Sequence, residues 1–538
     1  MMSEAPSAHR PLGGSRIFRT ERGYVEFESV ISRVEAWAEI AAFDVLGYRR
    51  NSLASRLVQR VVEVGLVPFI QECARGAECA SPLVLASEVV RFSDFTVETP
   101  SGTVRLRPLC VVRSMVEFAL HWLHVAGMAV SAVLSRGERK SAATLVFGVG
   151  SESLTFGSDD GRFADFCRNG PVVPLSEATR LVVQTASKIR PVQPNRFEYA
   201  RFPLFALFQG NVRSLIDFLR FMLEHLQAAG AYVFAVVRLP VVSILGRDFA
   251  YHALVTYLNR KSLIEAVVIT NSNYSSQPLW MSDLPGRRFL THLVWYSQNT
   301  VPLVYADEPI KVNIPNYRHM RIDVSWVWTD AYAVYLRALS IPGDIHVVGP
   351  ILWYLPPVSA VPEEASDDIL FTLFDVTPVR DAVAESIGLF GNYYSAQNMT
   401  QFVEETLSVC RELEARTGRR VRLSLKHKRS YNDRTHDPRY RELISRLTAS
   451  EEGIELIPFE TNMYALLANS DLAIVVPYSS PAYVASNRRA HAVYFDPTKT
   501  LVPTFQPAPL VTFASGRTEL LRVALDAVSD RADAREPS

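Results

Sequence analysis

The sequence predicts an α/β protein with two doubly wound parallel sheets, preceded by a mainly helical N-terminal segment. Three observations carry that expectation. Short apolar runs alternate with longer segments of helical periodicity from residue 141 to 525, as successive βαβ units require. The runs fall into two series, separated by a proline- and acid-rich stretch at 355–368. The chain has 538 residues, more than one core usually organises.

Within residues 1–140, apolar residues recur at helical spacing over 30–46 and 53–70. Residues 92–106 alternate around Thr99-Pro100-Ser101-Gly102 and read as a hairpin. The stretch 115–134 has the length of a bilayer span, but Glu117, His121 and His124 recur along one side of it. It reads either as a buried or interfacial helix or as a membrane insertion, with Arg136, Arg139 and Lys140 suited to a cytoplasmic face.

The first α/β domain is expected over 141–354. Its strands are read at 143–150, 232–239, 266–270, 292–296, 324–328 and 345–348, with helices at 212–228 and 330–339. Residues 355–368 form the linker. The second domain, 369–525, has strands at 369–374, 421–425, 454–458, 472–476 and 492–495 and a long amphipathic helix at 398–417; 526–538 is read as a flexible tail.

Composition narrows the function classes. Apolar residues make up 48% and charged residues 21%, which fits a folded globular chain rather than a disordered one. Lys+Arg 56 balance Asp+Glu 56, so no global field draws the chain to nucleic acid and any basic site must be local. The scattered cysteines Cys73, Cys79, Cys110, Cys167 and Cys410 fit a reducing, cytoplasmic setting, and no Cys/His cluster has metal-ligand spacing.

The chemistry gathers where buried strands end. Lys426, Lys428 and Arg429 follow an apolar strand; two ammonium groups and a guanidinium there can clamp a phosphate or carboxylate, and a solvated loop is the alternative. Ser479 and Ser480 follow the next strand but one, with Pro481 suited to a first helical turn; hydroxyls and backbone N–H groups there make a phosphate cradle or a plain cap. On the loop between them, Glu460 suits a sugar hydroxyl or a helix cap, and Asn462 stands at a helix start. Asp375 and Thr377 end the first strand of this series and belong to the same donor-side set.

In the first series, Gly148-Val149-Gly150 ends the opening strand, too short for a dinucleotide fingerprint. The glycines permit close approach of an acceptor touching Ser151, with Glu152 as general base and Asp159 or Asp160 as alternatives. Ser297, Gln298 and Asn299 beside Trp295 and Tyr296, and the run 271–276, offer neutral hydrogen bonding to a sugar, or ordinary surface loops.

These residues resemble the GT-B glycosyltransferases, particularly the bacterial surface- and capsular-polysaccharide type. The resemblance rests on Val347-Val348-Gly349-Pro350, Leu425-Lys426-His427-Lys428-Arg429, and Pro477-Tyr478-Ser479-Ser480-Pro481-Ala482 followed by Tyr494-Phe495-Asp496-Pro497, and covers about 142–521. The basic and serine motifs are also similar to those of transferases using CMP-activated acidic sugars (Kdo or nonulosonic acids), in which they hold the CMP. Those enzymes often show His-Pro where this chain has His427-Lys428, a departure that bears on the donor and not on the fold.

The resemblance implies two domains facing a cleft, a nucleotide-sugar co-substrate with no other cofactor, and metal-independent transfer; no Asp-x-Asp motif is well placed. It implies a glycan or glycolipid acceptor, no nucleic-acid partner, and peripheral contact with the inner face of the membrane. Two alternatives come with it: a sugar-nucleotide epimerase or hydrolase of the same architecture, and a non-catalytic scaffold in a polysaccharide assembly complex.

Overall fold

The computed structural model describes residues 17–20, 23–66, 83–86, 96–99, 102–134, 140–149, 161–186, 196–212, 214–270, 277–295, 318–351, 367–380, 393–428, 436–449, 454–458, 461–487, 490–503 and 510–535. They divide into two compact units. One comprises Phe18–Tyr296 and Ile314–Tyr354; the other comprises Leu355–Ser538 with the short pieces Met1–Ile17 and Ser297–Asn313.

The N-terminal part holds two small sheets. Strands β1 (Ile17–Thr20) and β2 (Gly23–Glu26) pair, and β3 (Leu83–Ala86), β4 (Thr96–Thr99) and β5 (Gly102–Leu106) form an antiparallel sheet of order β3-β5-β4. The β4–β5 pair is the hairpin expected around Pro100-Ser101.

The first large sheet has seven parallel strands: β6 (Ala143–Phe147), β7 (Leu181–Gln184), β8 (Phe197–Ala200), β9 (Ile264–Thr270), β10 (Leu290–Val294), β11 (Val324–Val327) and β12 (Asp344–Val347). Their spatial order is β12-β11-β10-β9-β6-β7-β8. The chain thus winds outward from β6 in one direction, returns, and winds outward from β9 in the other. Strands covered on both faces read as unbroken apolar runs, and all of Ala143–Phe147 is buried.

The segment 232–239, expected as a strand, is instead the last part of the helix Leu215–Arg238. Ser214 caps its start by accepting the Asp217 N–H at 3.0 Å. Phe221, His225, Ala228, Tyr232 and Ala235 then recur on one buried face at helical spacing. Packing of that face overrides the β-branched bias of the local sequence. Leu239 turns extended, as a residue before proline prefers, and Pro240 stops the helix. The helix Pro108–Leu134 lies against Leu215–Arg238, with Phe118 stacked on Tyr232 at 4.0 Å, and so packs as part of the same unit as the first sheet.

The second unit is built on six parallel strands: β13 (Ile369–Phe374), β14 (Val421–Lys426), β15 (Glu455–Ile457), β16 (Leu472–Val475), β17 (Ala492–Asp496) and β18 (Val511–Ser515). Their order is β15-β14-β13-β16-β17-β18. The winding direction reverses between β13 and β16, the arrangement of a doubly wound nucleotide-binding fold. The helix Ala396–Thr417 lays Met399, Phe402, Val403 and Leu413 on Phe371, Leu373 and Leu425 of the sheet. It starts at the Ser395 cap and ends at Gly418, whose φ of 69° lets its N–H reach the Glu414 carbonyl. The expected tail from residue 526 instead continues the helix Arg517–Arg535, because Ala527 and Val528 are still buried against the core. Residues 352–366, which hold most of the expected linker, lie outside the described residues.

Candidate functional site

In doubly wound sheets the ligand crevice opens at the carboxyl ends of the strands flanking the point where winding reverses. In the second unit those strands are β13 and β16, continued by Asp375 to Thr377 and by Val476 to Ser480.

Asp375 is the centre of the first flank. Register sets Phe374 opposite Lys426, so the next residues of β13 and β14, Asp375 and His427, meet side by side. The His427 Nδ1 lies 2.7 Å from Asp375 Oδ2, and the Tyr440 hydroxyl donates to the same oxygen at 3.0 Å. Oδ1 accepts from the Lys428 backbone N–H at 3.0 Å and from the Thr377 hydroxyl at 3.1 Å. The Asp375 side chain is wholly buried and that of His427 nearly so. A buried carboxylate with four donors is paired as burial demands. It also fixes the imidazole: with Nδ1 committed to Asp375, chemistry at this ring runs through Nε2. Tyr440 is delivered by the helix Pro438–Ala449, whose approach is tied by the Asp437 N–H to the Pro378 carbonyl and a bridge between Val379 and His436.

The second flank is a braced loop. Ser479 donates its hydroxyl to the Val476 carbonyl at 2.8 Å. The Tyr494 hydroxyl donates to the Ser479 carbonyl at 3.2 Å, Tyr394 to that of Pro477 at 3.4 Å, and Tyr478 to that of Val502 at 3.3 Å. Burial, with Tyr483 beside it, pushes the Tyr494 phenol well up, so it remains a protonated donor. Thr377 and Tyr478, one on each flank, hold φ of 47° and 62°. Left-handed backbone in a β-branched or aromatic residue costs on the order of 1–3 kcal/mol and persists only where surroundings impose it.

The predicted residues separate accordingly. Asp375 and Thr377 stand in the crevice network. Lys426 is the last ladder residue of β14 and is buried, whereas Lys428 is exposed and donates its backbone N–H to Asp375. The strand ends at Lys426, so Lys428 lies beyond the pleated ladder. Ser479 spends its hydroxyl proton within its own loop, and Ser480 is half-buried beside it. Asn462 caps the helix Met463–Asn469, accepting the Tyr464 N–H at 2.8 Å. Arg429, Glu460, Ser151, Glu152, Ser297 and Asn299 lie outside the described residues, as do Asp159, Asp160, Gln298 and 271–276. Of the first sheet's crevice, the end of β6 is described: Gly148 has φ of 85° and Val149 is buried. Trp295 is fully buried in the core, so its ring is no platform for a sugar.

Two contributors escape the sequence reading. His427 stands there only as part of a basic run, and Tyr440 carries no signal at all. The available clue is an Asp ending one buried strand and a His ending the next, which becomes informative once the two strands are neighbours in register. Asp496, within the Tyr494-Phe495-Asp496-Pro497 motif, is wholly buried and accepts from Tyr393, the Thr498 N–H and hydroxyl, and the Leu501 N–H. Its work is to hold the turn after β17. Among the described residues, no group of three or more His, Cys, Asp or Glu side chains could hold a metal ion.

Residues 230–523, more than half of the chain, match the family model described as polysaccharide biosynthesis PFTS motif protein. No curated protein sequence matches the chain. Among solved structures, the chain is similar to sucrose-phosphate synthase from Thermosynechococcus elongatus at 11% identity and a TM-score of 0.40, over 73% of this chain and 91% of that one. It is similar to the wall teichoic acid polymerase TagF at 11% identity and a TM-score of 0.36, over 80% and 92%. It is also similar to UDP-GlcNAc 2-epimerase from Methanocaldococcus jannaschii at 12% identity and a TM-score of 0.31, over 53% and 74%.

Proposed function

The chain belongs to the polysaccharide biosynthesis PFTS motif family, and on that premise we propose that it is a glycosyltransferase of GT-B type, moving a sugar from a nucleotide donor to a glycan or glycolipid acceptor. The observation that carries this reading is the buried Asp375–His427 pair at the reversal point of the second sheet, facing the braced loop after β16. Pro477-Tyr478-Ser479-Ser480 lies inside the matched region and parallels the letters P-F-T-S, aromatic for aromatic and hydroxyl for hydroxyl.

In this reading the nucleotide phosphate lies between the two flanks. The exposed Lys428 supplies charge to the departing phosphate, and His427, oriented by Asp375, meets it through Nε2, with Arg429 and the Ser480 hydroxyl alongside. Asp375 does not touch substrate; it positions the imidazole and ties the Lys428 backbone to the same spot. Lys426 adds positive charge from within the strand. Glu460 takes a donor hydroxyl. Ser151, Ser297 and Asn299 bind the acceptor, and Glu152 takes its proton. The cationic groups neutralise the leaving phosphate directly, so this mechanism uses no metal. The likeness of the basic and serine motifs to those of transferases using CMP-activated acidic sugars favours CMP, and hence an acidic sugar, as the donor.

Thermal shift of the purified protein with CMP, UDP and GDP tests this. A ligand at about 100 times its Kd stabilises by about 2.7 kcal/mol, a readily measured rise. The expected result is a selective rise with CMP that shrinks in Lys428→Ala and Ser480→Ala, both at solvent-reachable positions. A rise with UDP or GDP alone keeps the transferase and discards the acidic sugar. No rise with any nucleotide refutes the donor site and favours a scaffold.

A further inference from the structure

Among the described residues, seven other than glycine hold positive φ. Five of them, including Ser262 and Ser340, are exposed or half-buried. Those two close helices: the residues that follow them, Leu263 and Ile341, donate their N–H groups back to the Leu258 and Leu336 carbonyls. Thr377 and Tyr478 differ in being buried, at 2% and 3% exposure. They close no helix. They follow β13 and β16, the two strands that flank the reversal point, and each lies three residues beyond the last ladder pair, Phe374 with Val475. Buried left-handed backbone thus stands at matched places on both flanks of the crevice.

The local chemistry disfavours both conformations. After β16, the Ser479 N–H closes a turn onto the Val476 carbonyl at 3.1 Å. Pro477 fixes φ at about −65° in its second position, and Tyr478 holds the third at 62°. That is a type II turn, whose third position normally takes glycine. After β13, Thr377 is β-branched and precedes Pro378, which favours extended backbone, yet its φ is 47°. Glycine would hold either turn without strain, so the side chains offset the cost by what they fix. The Tyr478 hydroxyl reaches the Val502 carbonyl at 3.3 Å, and the turn it makes carries Ser479 and Ser480. The Thr377 hydroxyl reaches Asp375 at 3.1 Å, and its turn sets the Pro378 carbonyl to accept the Asp437 N–H at 3.0 Å. Asp437 leads into the helix whose Tyr440 donates back to Asp375 at 3.0 Å, so the contacts close a ring around the carboxylate that orients His427.

On the premise of the donor site, we propose that Thr377 and Tyr478 are its positioning residues, each holding one wall of the crevice in the form that receives the nucleotide phosphate. Neither side chain touches the ligand. Thr377 acts through Asp375, His427 and the Lys428 backbone, and Tyr478 acts through the placement of Ser480. Walls fixed before binding leave less backbone to be ordered by the ligand, so folding stability is exchanged for affinity.

Alanine and glycine variants of the full-length protein test this, because both remove the side chain while only glycine relieves the left-handed strain. In urea unfolding, Thr377→Gly has a folding constant roughly fivefold above that of Thr377→Ala. In calorimetric titration with CMP, UDP and GDP, its affinity for whichever nucleotide binds wild type is roughly fivefold below that of Thr377→Ala, the cost of ordering one more backbone residue. Tyr478→Gly and Tyr478→Ala show the same crossed pattern, and Tyr478→Phe, which keeps the ring in the turn, retains wild-type affinity. A purely structural role moves stability and affinity together. The Thr377 pair removes little volume and decides the matter where the Tyr478 variants unfold. Wild type that binds a nucleotide, with glycine variants binding as well as the alanine variants, overturns the positioning role and leaves the donor site standing. Wild type that binds none of the three overturns both.

Discussion

Replacing Asp375 by asparagine removes one charge and changes almost no volume, so its effect isolates the polar network of the crevice. The carboxylate receives four hydrogen bonds, from His427, Tyr440, Thr377 and the Lys428 backbone. An amide retains one acceptor oxygen and turns its NH2 toward the two donors on the other side. Whichever side the NH2 faces, it meets a hydroxyl that must turn to accept and a nitrogen that no longer has an acceptor, and the charge that strengthened all four bonds is gone. Hydrogen bonds to a charged group contribute about 1.5–3 kcal/mol each, and breaking one member of a buried pair costs about 3–5 kcal/mol. Taking about 4 kcal/mol and roughly 2–4 °C per kcal/mol for a unit of this size, the second unit should melt about 10 °C lower. Urea and thermal unfolding of Asp375→Asn measure this, with Asp526→Asn, at an exposed position, as the control expected near zero. A double variant with His427→Asn should lose much less than the sum of the two, showing coupling above about 1 kcal/mol. An Asp375→Asn protein within about 0.5 kcal/mol of wild type, with nucleotide response intact, would refute both the network and its positioning role.

Other outcomes follow from the first unit and from helix ends. Burial holds His252 and His292 down to about 4, below the usual 6.5. Between those values the unfolded chain binds protons that the folded one does not, so stability is complete near pH 7 and falls as pH drops from about 6.5 toward 4. At pH 5 the loss is about 2 kcal/mol per histidine, read by urea unfolding across pH, and His252→Gln should flatten the curve. Arg56 forms a buried pair with Asp248 at 3.1 Å, whose other oxygen accepts the Leu279 N–H; Arg56→Ala strands that carboxylate and should cost about 3–5 kcal/mol in denaturant titration. Gly418→Ala forces a Cβ into left-handed backbone at the end of Ala396–Thr417 and should cost about 1–2 kcal/mol, seen in the melting of the second unit.

Legibility in the sequence tracked burial and length. β13, β16 and β17 lie inside the second sheet and read as largely apolar runs, and β14 beside them alternates Val421, Leu423 and Leu425 with polar residues, so their positions emerged to within a residue or two. β8 and β18 sit at sheet edges, and β7 and β8 have four residues each; Phe197–Ala200 mixes apolar and charged residues and gave no clear pattern. The run at 232–239 misled because valine and phenylalanine satisfy a buried helix as well as a strand once a cap and a packing face extend the helix through them. In the candidate site, Asp375 was legible as a polar residue ending a buried strand, whereas the partner that gives it meaning, His427, was not.

What the sequence by itself determined is therefore what short-range patterns encode: two α/β series, the strands at their centres, the helix start at Asn462, and the strand ends at which polar residues collect. Tertiary structure decided which of those ends are neighbours. Asp375 and His427 are 52 residues apart in the chain and meet only because β13 and β14 pair in one register; a slip of one residue would send them to opposite faces. The outer faces of Pro108–Leu134 and Leu215–Arg238 followed the same logic. Their apolar content was visible from the start, but which half of it is buried was settled by the helices packed against the other side.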